Sequence, residues 1–557
     1  MSVVKVTENR ISEKWEKDIK EINLASESDA QGKTIIIDGY PGVDWSFVQE
    51  KKKDFALFDF SSVYKDRSDI WEIIHPFLDS DAHFGKIFRG SLKDFIDGEK
   101  MARMEETTAR AERALVYGCG SSMLKGRSSV YIDMTREGFL STIKDLWFLP
   151  EQAFEGAGTA DVGLSVQEFK LSHYICYPVF DAERRRAMKK MDFYVTPDGK
   201  TFSRMAFYGI MDELLSGALR LRPQYIPGPW GGQWIKEMRG LTDLKNCAWD
   251  FEAVAPDMEL VINCGKKFFV LPFITVLSAR REKLMGRASR KFGWFFPLRV
   301  HYDDSWDGGN MAIQVHPSGN YARDHFGESI GQHEAYYIMK AKKGSRVFLG
   351  LNEDADVEEF EKEVIRARDE KIPLDYERYI NSMQSKPEDL FIIPSGTVHA
   401  LGKDQVCLEI GTSYGYTFHI YDYLRPSLNG KMREIHAEHA FRALKNHRGR
   451  WVEKNLRPEK RRVRSFDGGE ELLIGTHSSV PFEVRRLDFD GKAEENTEGD
   501  FHILTLIKGN DMRITSGTGR SMKINFSESV VIPARLGRYD LYGNGCSVLK
   551  VNLRAET

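Results

Sequence analysis

The 557-residue sequence predicts a mixed α/β and all-β protein, with an N-terminal α/β domain followed by two β-barrels, the first carrying a helical insertion. Three observations predict this. Strand and helix patterns alternate over roughly the first 145 residues. Short β-like runs with turn signals between them fill residues 296–426 and the last hundred. Two distant segments, "DLFIIPSGTVHALG" (389–402) and "ESVVIPARLGRYDLYG" (528–543), repeat one grammar of acidic residue, apolar strand, Ile-Pro, turn, strand and Gly. Such a repeat points to two related barrels.

In the first segment, "KTIIIDGYPGVDW" (33–45) reads as an apolar strand running into Gly39, Pro41 and Gly42, and "RALVYGCGSSM" (113–123) and "SSVYIDM" (128–134) repeat it. A charged helix is expected within 92–114. The spacing of a phosphate-binding glycine loop is absent, and no Lys sits where it would reach a phosphate. This alternation resembles a nucleotide-kinase domain that has lost its phosphate loop. Residues 170–180, "KLSHYICYPVF", read as strand-like, and "YIPGPWGGQWIKEM" (225–238) as a tight bend built around Trp230. A helical insertion is expected over 354–371, a closing helix over 431–448, and a basic solvated linker over 452–471. The domains are set at 1–145, 146–450 and 451–557.

Hydrophobic residues make up 41% of the chain, enough for packed cores, and 80 basic residues against 83 acidic leave a net charge of −3. That balance gives no reason to expect nucleic acid or an acidic membrane surface as a partner. The N-terminus is charged where a signal peptide needs an apolar core, and the longest apolar run, "FFVLPFITVLSA" (268–279), is too short to span a bilayer. Six scattered cysteines without a C-x-x-C pair read as reduced, buried thiols of a cytoplasmic protein.

The chemistry gathers in "AIQVHPSGNYARDHFGESIGQHEAYYIMK" (312–340). On a strand, residues two apart share a face, so Gln314 and His316 converge while Val315 turns away. Of the neighbours His333 and Glu334 only one can join them, and the carboxylate would offset a divalent charge. His399, after a Gly turn, can face the same interior. Gln314, His316, Glu334 and His399 offer two nitrogens and two oxygens, a donor set that suits zinc, with manganese or iron also open.

The ordered words "AIQVHP", "HEAYYIM", "IPSGTVHALG" and "CLEI…YTFHIYDYLR" resemble the type I phosphomannose isomerase (mannose-6-phosphate isomerase) family of the cupin superfamily, closely over about 266–440 and more loosely at "PGPWGGQW" and the C-terminal barrel. The resemblance implies cupin-type barrels (double-stranded β-helices), one zinc ion per chain held by Gln314, His316, Glu334 and His399, and interconversion of mannose 6-phosphate and fructose 6-phosphate or a related sugar. It places Glu409 close to the sugar. Two positions depart from the family. Gln332 stands where the family has Lys two residues before the ligand Glu, and His419 stands where "T-Y-R-x-Y-D" has Arg. His419 retains acid/base capability near neutrality, which Gln332 does not. Candidate catalytic residues are therefore His419, Lys431 and Glu409, with Arg425, Arg433 and Trp230 as candidate substrate contacts. His325, His333, His436 and His439 read as structural or surface groups.

The expected partner is a small sugar or sugar phosphate, with homo-oligomerisation open. Two other readings remain: a sugar-binding or regulatory protein that keeps the metal but has lost isomerase chemistry, and a metal-dependent cupin of another class such as an oxygenase, against which the Gln ligand counts.

Overall fold

The structure is a computed structural model describing residues 8–21, 34–79, 81–126, 128–154, 165–412 and 415–554. The chain divides into two compact units: Glu8–Leu214 with Pro256–Arg281, and Leu215–Ala255 with Glu282–Thr557.

The first unit is built on a seven-stranded sheet. Its five central strands are parallel, in the spatial order Ala56–Asp59, Ala114–Tyr117, Thr34–Gly39, Ser128–Ile132, Phe193–Val195. Lys200–Ser203 and Lys20–Glu21 extend the sheet antiparallel at one edge. The first parallel strand thus lies at the centre, as in doubly wound sheets, where the crevice at the strands' carboxyl ends is the usual ligand site. Ile35, Ile37, Leu115, Val130 and Val195 alternate with residues of the other face and pack with Val48 and Phe55 into one core.

Here the carboxyl ends of the strands carry this chain's own ion pairs. Arg184, on the helix Tyr177–Lys190, donates to Asp133 at 3.1 Å and to Asp181 at 2.7 Å, and Arg136 donates to Asp181 and to the Tyr40 hydroxyl. Asp38 is fully buried and accepts from the backbone N–H groups of Gly39, Gly120 and Ser122, which ties the "GCGSS" loop down. A buried carboxylate needs such partners, since the isolated charge is costly to desolvate.

Several expectations need correction. Residues 170–180 are helical: Val166–Lys170, Leu171–Cys176 and Tyr177–Lys190 form one continuous helical run. Leu171 to Cys176 are all buried, so the apolar run shows no helical face, and periodicity cannot separate it from a buried strand. The N-terminal sheet also continues past residue 145, through Ser203.

In the second unit, a six-stranded sheet runs Leu390–Ile393, Glu334–Ala341, Gln405–Gly411, Arg299–Asp304, Trp249–Ala253, Gln224–Ile226. A five-stranded sheet runs Ile380–Gln384, Arg346–Leu351, His399–Leu401, Ile313–Val315, Phe418–Tyr421. The insertion helix is Val357–Glu370, capped by Asp356, whose side chain accepts from the Glu359 N–H. The closing helix is shorter than expected, Ala437–Ala443. An eight-stranded C-terminal sheet runs from Arg461 to Leu553, with Leu487, Leu504, Leu506, Ile514, Leu541 and Val548 at its core.

The stretch 452–471 is not a linker: it holds the end of the helix Gly449–Leu456 and the edge strand Arg461–Phe466. Its basic residues pair across strands, Arg462 with Glu470 and Arg464 with Glu471. All six cysteines are buried and unpaired. Among the described residues no helix is long and apolar enough to cross a membrane.

Breaking a fully buried pair by removing one partner costs about 3–5 kcal/mol. Arg184→Met removes the guanidinium from Asp133 and leaves Asp181 with that of Arg136 alone. Hydrogen exchange of the amides in Thr34–Gly39 and Ser128–Ile132 is expected to accelerate strongly in this variant, while exchange in the C-terminal sheet stays unchanged.

Candidate metal centre

Glu334 opens a strand of the six-stranded sheet, and Gln314 and His399 lie directly opposite each other in the five-stranded one. His316 follows one residue beyond the strand Ile313–Val315. The turn that feeds Glu334 needs a glycine. A Cβ on Gly331 would lie 2.4 Å from the Gly319 nitrogen, at the start of the helix capped by Ser318.

The donor atoms converge. His316 Nε2 lies 3.0 Å from Glu334 Oε1, His399 Nε2 lies 3.2 Å from Glu334 Oε2, and the Gln314 amide is 3.4 Å from His399 Nε2. Each imidazole gives its other nitrogen to a carbonyl: His316 Nδ1 to Tyr416 O at 2.8 Å, and His399 Nδ1 to Thr397 O at 2.9 Å. A carbonyl only accepts, so both rings carry a proton on Nδ1 and turn Nε2, the atom that would bind a cation, toward Glu334. Glu334 Oε2 is buried without a hydrogen-bond donor.

Ligands held at about 2.0–2.2 Å in a tetrahedral site stand about 3.3–3.6 Å apart, so the donor atoms lie close to the spacing a first-row divalent cation such as zinc needs, and the donor set suits one. His316, Glu334 and His399 thus form one group able to hold a metal ion. Burial raises the Glu334 pKa, but the two imidazoles outweigh it and hold the carboxyl well below its usual range.

Gln332 points the same way as Glu334, two residues on, and donates to Glu334 Oε1 at 2.6 Å; the same amide nitrogen lies 3.3 Å from His316 Nε2. His333 points away: its Nδ1 accepts from the Ser395 N–H, and burial lowers its pKa to about 4. His325 stacks on Tyr321 at the surface.

Glu409 lies one strand over from Glu334, and Arg299 bridges the two, donating to each carboxylate at 2.9 Å. Gly411 makes room for this bridge, since a Cβ there would sit 2.7 Å from Arg299 Nε. On the same face as Arg299, His301 stands 3.5 Å from Glu409 and 3.6 Å from Asp303, a second group with metal-ligand spacing. Burial pushes Glu409 up to about 7, with the Glu334 charge adding to it. For His301 burial works downward, but the Glu409 and Asp303 carboxylates outweigh it and raise the pKa to about 10.

His419 stands opposite Gln314 in the register of the five-stranded sheet, and its Nδ1 lies 3.2 Å from Glu434 O. Arg425 and Arg433 both donate to Asp422, three residues beyond His419, at 2.5 and 2.7 Å. Lys431 is exposed in the adjoining turn. Trp230 is buried in a corner and meets Trp249 edge-on at 5.1 Å. Sequence reading missed Arg299, His301 and Asp303. Their signal is the alternation of ionisable residues along "RVHYDD", which puts three charged groups on one face of a buried strand.

A family model described as a domain of unknown function (DUF8485) matches residues 14–216. A likeness in fold to a solved structure covers 60% of the chain. The crystal structure of the mannose 6-phosphate isomerase from Bacillus subtilis superposes with a TM-score of 0.50 at 21% identity, covering 60% of this chain and all of that one. In sequence, mannose-6-phosphate isomerase ManA of Bacillus subtilis (strain 168) is 26% identical over 328 residues, 58% of this chain and 96% of that protein. A probable mannose-6-phosphate isomerase, GmuF of the same organism, is 27% identical over 251 residues, 45% of this chain and 73% of that protein.

A histidine whose folded pKa is raised adds stability that is fully present below its unfolded value and is lost as pH rises through the folded one. His301 should therefore contribute most below about 6.5, and progressively less as pH approaches about 10. The gap in thermal midpoint between wild type and His301→Gln, followed from pH 6 to pH 10 (about the span between those two values), is expected to narrow steadily.

Proposed function

We propose that the protein is a zinc-dependent aldose–ketose isomerase of sugar phosphates, similar to mannose-6-phosphate isomerases, acting in the cytoplasm. The observation that carries this reading is the convergence of His316, Glu334 and His399 at the facing ends of two sheets, beside Gln314. The names of the related proteins supply the substrate class.

In this reading Gln314, His316, Glu334 and His399 hold the ion, which when bound polarises the substrate's carbonyl and hydroxyl oxygens. Isomerisation moves a proton between C1 and C2 through an enediol. Glu409, with its carboxyl pushed up to about 7, can hold or release a proton near neutral pH, and Arg299 and His301 fix its position. His419, in line with Gln314, is the second candidate for proton transfer. Arg425 and Arg433, both bound to Asp422, and Lys431 in the same turn are the cations nearest to hand for a phosphate. Trp230 acts by shaping the corner. The N-terminal unit is read as a nucleotide-kinase-like fold whose ligand crevice is filled by the Arg184 and Arg136 ion pairs.

A specific observation favours a non-catalytic sugar binder as the second reading: Gln332, unable to exchange a proton, spends its amide on Glu334.

The two readings separate in an assay on zinc-loaded protein with mannose 6-phosphate. Turnover is expected, with bound zinc near one per chain. His316→Ala should lose both metal and activity. His419→Ala should keep the metal and lose about 100-fold or more in kcat, the usual scale of general acid–base catalysis. A zinc-loaded wild type that turns over no hexose phosphate leaves the binder.

A further inference from the structure

The C-terminal sheet repeats the pairing of the metal-bearing one. Glu334 stands opposite Ile393, which precedes Pro394, and His502 stands opposite Ile532, which precedes Pro533. One step along, Ala335 faces Ile410 and Ile503 faces Val551, so Lys550 falls where Glu409 does. Glu409 is in turn paired with His301, and Lys550 with Arg485. By register, then, His502, Lys550 and Arg485 occupy the positions of Glu334, Glu409 and His301. None of these three brings a carboxylate, so the donor set at this place is not that of a cation site.

Around them is a cavity of about 710 Å³, lined by polar groups of both signs. That volume lies within the range of small-molecule pockets. At its floor Lys550 bonds Glu471 at 2.7 Å and Glu495 at 2.6 Å, and Arg464 bonds both of the same carboxylates. Arg485 reaches Glu471 at 3.3 Å. His502 Nδ1 lies 3.1 Å from the Tyr539 hydroxyl. The Asn552 side-chain oxygen is buried in the wall without a hydrogen-bond partner. Lys550, Glu471, Glu495 and His502 are all more than nine-tenths buried.

Charge decides what such a cavity would take. Five basic and five acidic side chains line it, and burial together with Lys550 and Arg485 lowers the His502 pKa to about 3, so the ring stays neutral. The lining therefore has no net charge with which to select an anion or a cation. It offers instead fixed carboxylate acceptors beside guanidinium and ammonium donors. A vicinal diol uses both at once, because each hydroxyl donates one hydrogen bond and accepts others. Hydrogen bonds to charged partners are also the stronger kind.

We propose that this cavity is a second binding site, specific for a neutral polyhydroxylated ligand of monosaccharide size, separate from the metal centre and independent of it. The site binds without chemistry, since it has no metal ligand set and the ionisable groups at its floor are held in ion pairs.

The mouth gives a clean variant. Gly517 lies exposed on the rim, and a Cβ there would meet nothing closer than the Arg538 carbonyl at 3.8 Å, so Gly517→Trp can cover the opening without disturbing the core. The test uses the full chain and saturation-transfer NMR with mannose, fructose, glucose and galactose in turn. Expected is a saturable signal from at least one neutral hexose, retained in His316→Ala and weakened at least tenfold in both Gly517→Trp and Lys550→Met, with no displacement by inorganic phosphate. The proposal is overturned if none of the four sugars gives a saturable signal, if the signal survives Gly517→Trp, if it disappears in His316→Ala, or if inorganic phosphate displaces it. Because Gly517→Trp leaves every buried ion pair in place, a folding defect in Lys550→Met does not cloud the outcome.

Discussion

The buried carboxylate of Glu334 is the constraint around which the second unit is arranged. A charge with almost no exposure survives only when opposite charge and donors surround it. Here they come from both sheets: Arg299 and Gln332 from its own side, and the two imidazoles from the other. The glycines at 331 and 411 are part of the same constraint, since a methyl group at either would displace the turn or the guanidinium. Arg299 also ties Glu334 to Glu409, and through it to His301 and Asp303. The inner face of one sheet thus carries a continuous line of ionisable groups. Their mutual compensation lets a polar interior exist where a sheet face would normally be apolar.

This arrangement explains why part of the centre was legible in sequence. Residues two apart on a strand share a face, which put Gln314 with His316 and separated His333 from Glu334 before any coordinates. The structure has His333 turned toward Ser395 and Glu334 turned inward. His399 was harder, because nothing local says that a strand 85 residues from Gln314 will pair with it; the Gly turn before it allowed that it face the same interior, and the order of the family's words strengthened the reading. Arg299 and His301 were missed because their partners, Glu334 and Glu409, lie on other strands. Charge compensation across a sheet leaves no mark in a local window.

The misread segments share a cause. In "LSHYIC" every side chain is buried, so no polar face marks the helix, and strand and helix look alike. In "EKRRVRSF" the basic residues suggested a solvated connector, yet they form an edge strand whose cations meet Glu470 and Glu471 on the neighbour. Charged side chains on an edge strand are a known guard against unwanted pairing, so a basic run is no evidence against a sheet. The N-terminal sheet was recognised from its Ile-rich strands, while its far edge, Phe193–Ser203, lay beyond the boundary because a long helical run separates it from the rest.

Gln332 bears on the candidate metal centre through its hydrogen bond to Glu334. A lysine two residues before Glu334 would face the same carboxylate, because the alternation that turns His333 out turns residue 332 in. Glutamine keeps the hydrogen bond and gives up the charge. Arg299 supplies a positive charge to the same oxygen, so Glu334 remains compensated with glutamine at 332. What changes is proton traffic: an amide holds the carboxylate in place but cannot accept or donate a proton to a substrate. In the proposed isomerase, proton transfer would then fall to Glu409, whose carboxyl is pushed up to about 7, and to His419 across the sheet.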